Sequence, residues 1–325
     1  MELLTNGLGL SAVVFFPIIS AFLIILIPKK QEQLIKVFAL ASSLITFVLS
    51  AVLLFQFDFS SADKFQLGNK ISWIRSINAN YEIGIDGISL PLLVLSTFIT
   101  VLAIIYSIEH LPEPKSPKGF LALILVLETG MNGTFVALDL ILFFVFFEIV
   151  LLPMYFMIGI WGDKTIRTVS GLKNQIETRL YASIKFFVFT LFGSAFMLLG
   201  FLGLYYRGNK TFSIPELIEL GSSGAFTGTF ATLVFAVLFL GFAVKVPMWP
   251  LHTWLPDAHT AAPTVGSVLL AAILLKLGSY GFVRIAIPIL PEQAKAWAPA
   301  IAILSAIGII YGSLACLAQT DLKRL

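Results

Sequence analysis

Four ionisable side chains interrupt long apolar runs in this sequence: Glu128 in LALILVLETGMNG, Glu148 in LFFVFFEIVLLPMYF, Lys245 in LFLGFAVKVPMW and Lys276 in LLAAILLKLGSYGF. A charge at the centre of a bilayer costs at least ~2.5–3.5 kcal/mol on insertion scales, so such residues persist where they pair or line water. Carboxylates and amines in apolar surroundings suit proton transfer, because burial and a neighbouring opposite charge act in opposite senses on an amine's hold on its proton. At ~4 Å and an effective dielectric near 20, one unit-charge pair interacts by about 4 kcal/mol before desolvation. A carboxylate moving towards or away from a lysine is therefore a gate: Glu148 close to Lys245 retains the proton, and separation releases it towards Lys276. The competing reading is that the four are static, paired helix-packing charges. Each carries its own insertion cost, which weighs against that reading for four charges in five consecutive spans.

The segment KVPMWPLHTWLPDAHTAAPT, 245–264, adds a second group. Pro247, Pro250, Pro256 and Pro263 exclude a continuous helix. Irregular backbone at membrane depth is tolerated where protein buries it or where it lines water. His252, Asp257 and His259 could relay protons there. The spacing HxxxxDxH also fits a metal-ligand set, but no further ligand lies nearby, so no metal is expected. A third reading has His252 and His259 capping carbonyls that the prolines free. Lys185 lies near the start of an apolar run and reads as snorkelling to the cytoplasmic face. Asp139 stands at a helix start, where a carboxylate suits the helix dipole, and reads as structural.

The elements that must position these residues are membrane helices. Of the 325 residues, 58% are hydrophobic and only 12% charged, against about a quarter charged in soluble domains. Thirty phenylalanines suit lipid-facing surfaces. A crossing helix needs ~20 apolar residues, and nine candidate spans follow, at 9–28, 34–56, 87–109, 119–136, 138–160, 180–206, 227–250, 263–288 and 297–319. The fold class is all-α, a polytopic transmembrane bundle. Gly130, Asn132, Gly133 and Asp139 separate the fourth span from the fifth. The loop 57–86 reads as an extended, hairpin-like surface element. A net charge of +3, spread along the chain, implies no nucleic-acid partner, and the single cysteine, Cys316, excludes a disulfide framework or a Cys-ligated cluster. The N-terminus lacks a basic segment followed by a small-residue cleavage site, so the first apolar run reads as a retained helix.

Lys and Arg counts in the connecting segments set an orientation. Eleven fall on one side: Lys29, Lys30, Lys36, Lys115, Lys118, Lys164, Arg167, Lys173, Arg179, Lys323 and Arg324. Seven fall on the other: Lys64, Lys70, Arg75, Arg207, Lys210, Arg284 and Lys295. The N-terminus is expected outside and the C-terminus inside.

The motifs DLILFFVFFEIVLLPMYFMIGIWG (139–162) and GFAVKVPMWPLHTWLPDAHTAAPTVGSVLLAAILLKLGSYGFVRI (241–285) resemble the proton-translocating, antiporter-like subunits of respiratory complex I. YEIGIDGISLPL (81–92) and LAQTDLKRL (317–325) resemble the chain M, or subunit 4, type of NADH:quinone oxidoreductase. The resemblance covers most of residues 80–325, while 1–60 match only in character. It implies that Glu148, Lys245 and Lys276 form the proton path, with Glu128 secondary and His252 and His259 near it. It implies two inverted five-helix repeats, each with a broken helix. The first would comprise spans four to eight (119–288), broken after Lys245, behind three N-terminal helices (1–118). Residues 289–325 would begin the second repeat, which family members continue well beyond the point where this chain stops at Leu325, so the exit half of the channel is expected to be missing. The resemblance further implies no cofactor in this chain, with flavin, iron–sulfur clusters and quinone in partner subunits. Expected partners are neighbouring antiporter-like and other membrane subunits, and lipid. The expected location is a bacterial inner membrane. Two alternatives share these motifs: a subunit of a multisubunit sodium/proton antiporter, and a membrane subunit of a membrane-bound hydrogenase or formate-linked complex. A purely structural scaffold is the alternative of a different class.

Overall fold

The structure, a computed structural model, describes residues 7–61, 64–168 and 175–324; Lys173 and Leu325 lie outside them. Among the described residues nine helices are long and apolar enough to cross a membrane: Leu8–Leu26, Glu32–Gln56, Ser89–Glu109, Pro117–Val136, Leu140–Trp161, Thr178–Arg207, Gly228–Lys245, Thr264–Ile289 and Pro291–Leu317. They are called the first to ninth spans. The all-helical membrane bundle expected from composition is borne out. Two boundaries differ by more than two residues. The seventh span stops at Lys245 rather than 250, because Pro247 and Pro250 have no N–H to continue the ladder. The ninth begins at Pro291 rather than 297, with proline in the first turn, where its missing donor is harmless.

By contacts the chain divides into two compact units, Met1–Met157 with Ala271–Ile273, and Ile158–Leu270 with Leu274–Leu325. In the first unit the fourth span is the hub, packed against the first, second, third and fifth. It is by far the most enclosed of the nine, since neighbours cover it on all sides. Close approach to the fifth span depends on glycine. A Cβ on Gly133 would enter the Phe146 ring, and one on Gly130 would sit 2.6 Å from Val150 Cγ1. Small residues let membrane helices approach in this way. Asn132 ties three spans together: its Oδ1 accepts from Ser96 Oγ at 2.9 Å, and its Nδ2 donates to the Val13 carbonyl at 3.3 Å.

The loop 57–86 contains an antiparallel hairpin of β1 (Gln66–Ile74) and β2 (Ala79–Ile85), as its hairpin-like reading anticipated. It is latched to the start of the fifth span. Leu138 N donates to the Glu82 carbonyl at 2.8 Å, and Asn80 N donates to Asp139 Oδ2 at 2.9 Å. Asp139 also N-caps the fifth span, accepting from Ile141 N at 2.9 Å and Leu142 N at 3.2 Å. These bonds satisfy orphan donors of the first turn, the structural role its position suggested. Burial raises the Asp139 carboxyl above its usual range, against three backbone N–H donors and Lys70 that pull it down.

In the second unit the sixth and seventh spans interlock. Cβ atoms on Gly193, Gly200 and Gly241 would fall 2.6–2.8 Å from Val244, Leu238 and Met197. The eighth span contains two π-helical segments, Leu270–Leu274 and Phe282–Ala286, on either side of the α-helical turns Leu275–Gly281. A small hairpin, β3 (Ile166–Thr168) with β4 (Gln175–Glu177), precedes the sixth span. The ninth span has no buried residue in this chain.

Candidate functional site

The first unit carries the two glutamates. Glu128 sits mid-span in the hub helix and is fully buried. Neither of its carboxylate oxygens has a hydrogen-bond partner among the described residues. Glu148 is half-buried in the fifth span, two residues before a break. The span is two helical pieces, Leu140–Ile149 and Leu151–Trp161, with Val150 between them. Pro153 is the cause: it offers no N–H to the Ile149 carbonyl, and the following bond, Met154 N to Val150 O, is stretched to 3.4 Å. Glu148 therefore stands beside a locally loosened ladder.

The second unit carries the lysines and histidines. Lys245 is the last residue of the seventh span and only 4% exposed. A cation is favoured at that helix end. The eighth span presses against it, since a Cβ on Gly278 would lie 3.0 Å from Lys245 Cβ. The geometry thus brings Lys245 against the α-helical segment that carries Lys276. Lys276 is exposed on the surface of this chain, between the two π segments. Such segments often mark functional positions in helices.

After Lys245 the chain turns through 246–253 and re-forms a short helix, Trp254–Ala261. Trp254, not a histidine, takes a freed carbonyl: its Nε1 donates to Val244 O at 3.0 Å. His252 Nδ1 is buried with no hydrogen-bond partner among the described residues, so the capping role read for His252 is not seen. Burial lowers His252 below its ordinary range, and the Lys185 charge adds to this. His259 is pushed down to about 4, by burial first and then by Lys323. Among the described residues no three His, Cys, Asp or Glu side chains gather to hold a metal ion.

Two residues depart from their reading in the sequence. Lys185 has a partner within the chain: its Nζ lies 2.8 Å from Asp257 Oδ2, with both side chains 20% exposed. The partner lies 72 positions away, and nothing local in the sequence pairs them. Arg284, counted above with the outer segments, lies within the eighth span and is 5% exposed. Its Nε donates to Tyr280 Oη at 2.9 Å, one helical turn back. The spacing YGFVR is the signal that could have found it.

Comparison with known proteins fits this geometry to a family. A model described as "NADH:quinone oxidoreductase/Mrp antiporter, TM" matches residues 137–325, and one described as "NADH-ubiquinone oxidoreductase chain 4, amino terminus" matches 13–134. The chain belongs to this oxidoreductase and antiporter family. The resemblance drawn from the motifs is borne out, and it reaches further towards the N-terminus than they did. NADH-quinone oxidoreductase subunit M of Rickettsia bellii is 40% identical over 97% of this chain and 61% of its own length. NADH-ubiquinone oxidoreductase chain 4 of Arabidopsis thaliana is 40% identical over 98% of this chain and 60% of its own length. The chain thus spans about three fifths of these relatives. A chain in the structure of respiratory complex I from Thermus thermophilus with bound NADH superposes with a TM-score of 0.81 at 26% identity, covering 97% of this chain and 61% of that one. Family members therefore share both its sequence and its helical architecture.

Proposed function

We propose that this chain is a proton-conducting membrane subunit of an NADH:quinone oxidoreductase, driven by redox chemistry in partner subunits. The observation that carries the reading is Lys245, buried at the point where an apolar span breaks. A cation that deep persists where it works on an ion path or pairs within the protein. The relatives named as subunit M and chain 4 support the same assignment, and the match of an amino-terminal chain 4 model favours it over the antiporter reading. Glu148 senses charge from a neighbouring subunit, Lys245 responds, and Lys276 passes the proton on. Glu128, His252 and His259 support that path. The chain itself holds no cofactor; flavin, iron–sulfur clusters and quinone belong to partners. Its neighbours are other membrane subunits, including antiporter-like ones, and lipid. It resides in a bacterial inner membrane with its N-terminus outside.

The test replaces Lys245 with alanine in the whole complex, reconstituted in vesicles. Proton pumping is expected to fail while the complex still assembles. Normal redox-driven pumping by an assembled Lys245→Ala complex would end the proposal. Glu148→Gln is expected to impair coupling more than assembly, and loss of assembly alone favours a scaffold.

A further inference from the structure

The short helix Trp254–Ala261 is bonded at both ends to segments distant along the chain. At its start, Trp254 Nε1 donates to Val244 O at 3.0 Å, the carbonyl next to Lys245. At its end, Lys323 Nζ donates to Ala262 O at 2.8 Å, from a position 61 residues away. Asp163 N donates to the neighbouring carbonyl, Ala261 O, at 2.8 Å. Between the ends, Asp257 bonds Lys185 of the sixth span at 2.8 Å. Lys323 follows the ninth span in a turn closed by Asp321, which accepts from Lys323 N on Oδ1 at 2.7 Å and from Arg324 N on its carbonyl at 3.0 Å. The turn fixes the backbone from which the lysine reaches. The ninth span itself has no buried residue in this chain. It touches the seventh span through Trp297, whose ring centroid lies 5.5 Å from those of Phe235 and Phe239. It touches the break through Tyr311 and His252, with centroids 5.4 Å apart. Of these contacts only the Lys323 bond is a charge-assisted hydrogen bond, directional as well as strong. A static cap accounts for one orphan carbonyl at a helix end. It leaves out that the capped helix also carries, as its first residue, the donor that caps the seventh span. Eight helical residues rise ~12 Å and move as one body, so the two bonds are not independent.

We propose that Lys323 is a positioning residue for Lys245, acting through the short helix as a lever. The ion pair at Asp257 is the pivot. A shift of the ninth span's inner end moves Lys323, and Ala262 follows it. Trp254 carries the displacement to Val244 O, where the seventh span stops. Lys245 is the next residue and the last of that span, so its place against the eighth span is set by a contact made at the far end of the lever. No proton travels this route, and only hydrogen bonds bear the load. The functional half of the inference rests on the proton-conducting reading above; the mechanical half does not.

The experiment uses the whole purified complex. Amide hydrogen exchange is followed by mass spectrometry, and NADH-driven proton pumping is measured in vesicles, for Lys323→Met, Lys323→Arg, Trp254→Phe and the double variant Lys323→Met with Trp254→Phe. Arg324→Met, which removes the adjacent exposed cation, is the control. In Lys323→Met, exchange is expected to rise at 259–264 and also at 244–251, beyond the pivot. A rise confined to 259–264 shows a local cap and overturns the lever. Pumping is expected to fall about two- to thirtyfold, the range for mutations along a coupling route, and Lys323→Arg, which keeps a charged donor, is expected to recover most of it. Wild-type pumping by Lys323→Met, no recovery by Lys323→Arg, or an equal loss in Arg324→Met overturns the positioning role. The double variant is expected to pump no worse than the poorer single one, because both bonds belong to one lever; losses that multiply overturn it. If Lys323→Met does not assemble, Trp254→Phe asks the same question from the other end. Exchange rising at both 244–251 and 259–264 supports the lever, and a rise at 244–251 alone overturns it. Lys245→Ala run in parallel separates the two proposals. If it pumps normally, the proton-conducting reading itself is wrong, and the exchange result still decides the lever. If it stops pumping while Lys323→Met does not, only the positioning role is wrong.

Discussion

Replacing Gly278 with alanine drives one methyl group into the place where the seventh span stops. The added carbon would lie 2.8 Å from Val246 Cγ2 and 3.0 Å from both Lys245 Cβ and Val246 N, where ordinary contact begins at 3.4 Å. Val246 Cγ2 can rotate away, but a backbone nitrogen and a Cβ cannot. The eighth span must therefore shift from the break by a few tenths of an ångström. Overpacking of this kind typically costs about 1–3 kcal/mol, and a fall of about 2–4 °C in Tm accompanies each 1 kcal/mol in a chain of this order of size. The same shift moves Lys245 relative to the turn bearing Lys276, so pumping is expected to fall further than electron transfer. Gly266→Ala in the same span is the control. Its methyl meets Pro263 and Ala262 at 3.5–3.6 Å, ordinary contact, and alanine gains up to ~1 kcal/mol of helix propensity. The assay is thermal unfolding of the purified complex together with pumping in vesicles. If Gly278→Ala matches the wild type in both, the close seat of Lys245 against the eighth span is refuted.

Three further outcomes follow from the geometry. Asp139→Ala removes two cap bonds and the acceptor for Asn80 N; a loss of about 1–3 kcal/mol is expected, with earlier proteolysis of the β1–β2 hairpin, and unchanged cleavage would show that the latch is unimportant. Glu128→Gln keeps the shape of a side chain whose oxygens bond nothing among the described residues, so thermal stability should hold, and a marked drop in Tm would reveal an ionic partner. His259 binds its proton more weakly folded, at about 4, than unfolded, near 6.5. The unfolded state therefore takes up more protons between those values, so its contribution is complete above pH 6.5 and is lost as pH falls through about 4. His259→Gln should lack that share of acid destabilisation, and identical melting profiles from pH 7 to 4 would contradict it.

Much of this protein is legible in its composition and pattern. Long apolar runs specify helices because a bilayer leaves backbone groups no partner but their own chain. Charges within those runs announce Glu128, Glu148, Lys245 and Lys276, and the prolines of 247–263 announce the break. Asp139 is readable as a helix start for the same local reason. What the sequence could not tell is which distant groups meet. Lys185 looks like a snorkelling cation until tertiary packing sets Asp257 beside it. Arg284, counted with the outer segments, proves to be buried within its span, where Tyr280 supplies a hydroxyl. Trp254 displaces the histidines as the cap of Val244 O only because the short helix folds back beneath the seventh span's end. Local propensity and hydrophobicity act over a few residues and so can be read in order along the chain. Pairing, burial and cavity walls depend on three-dimensional distance between segments far apart in sequence, and only the folded structure supplies that.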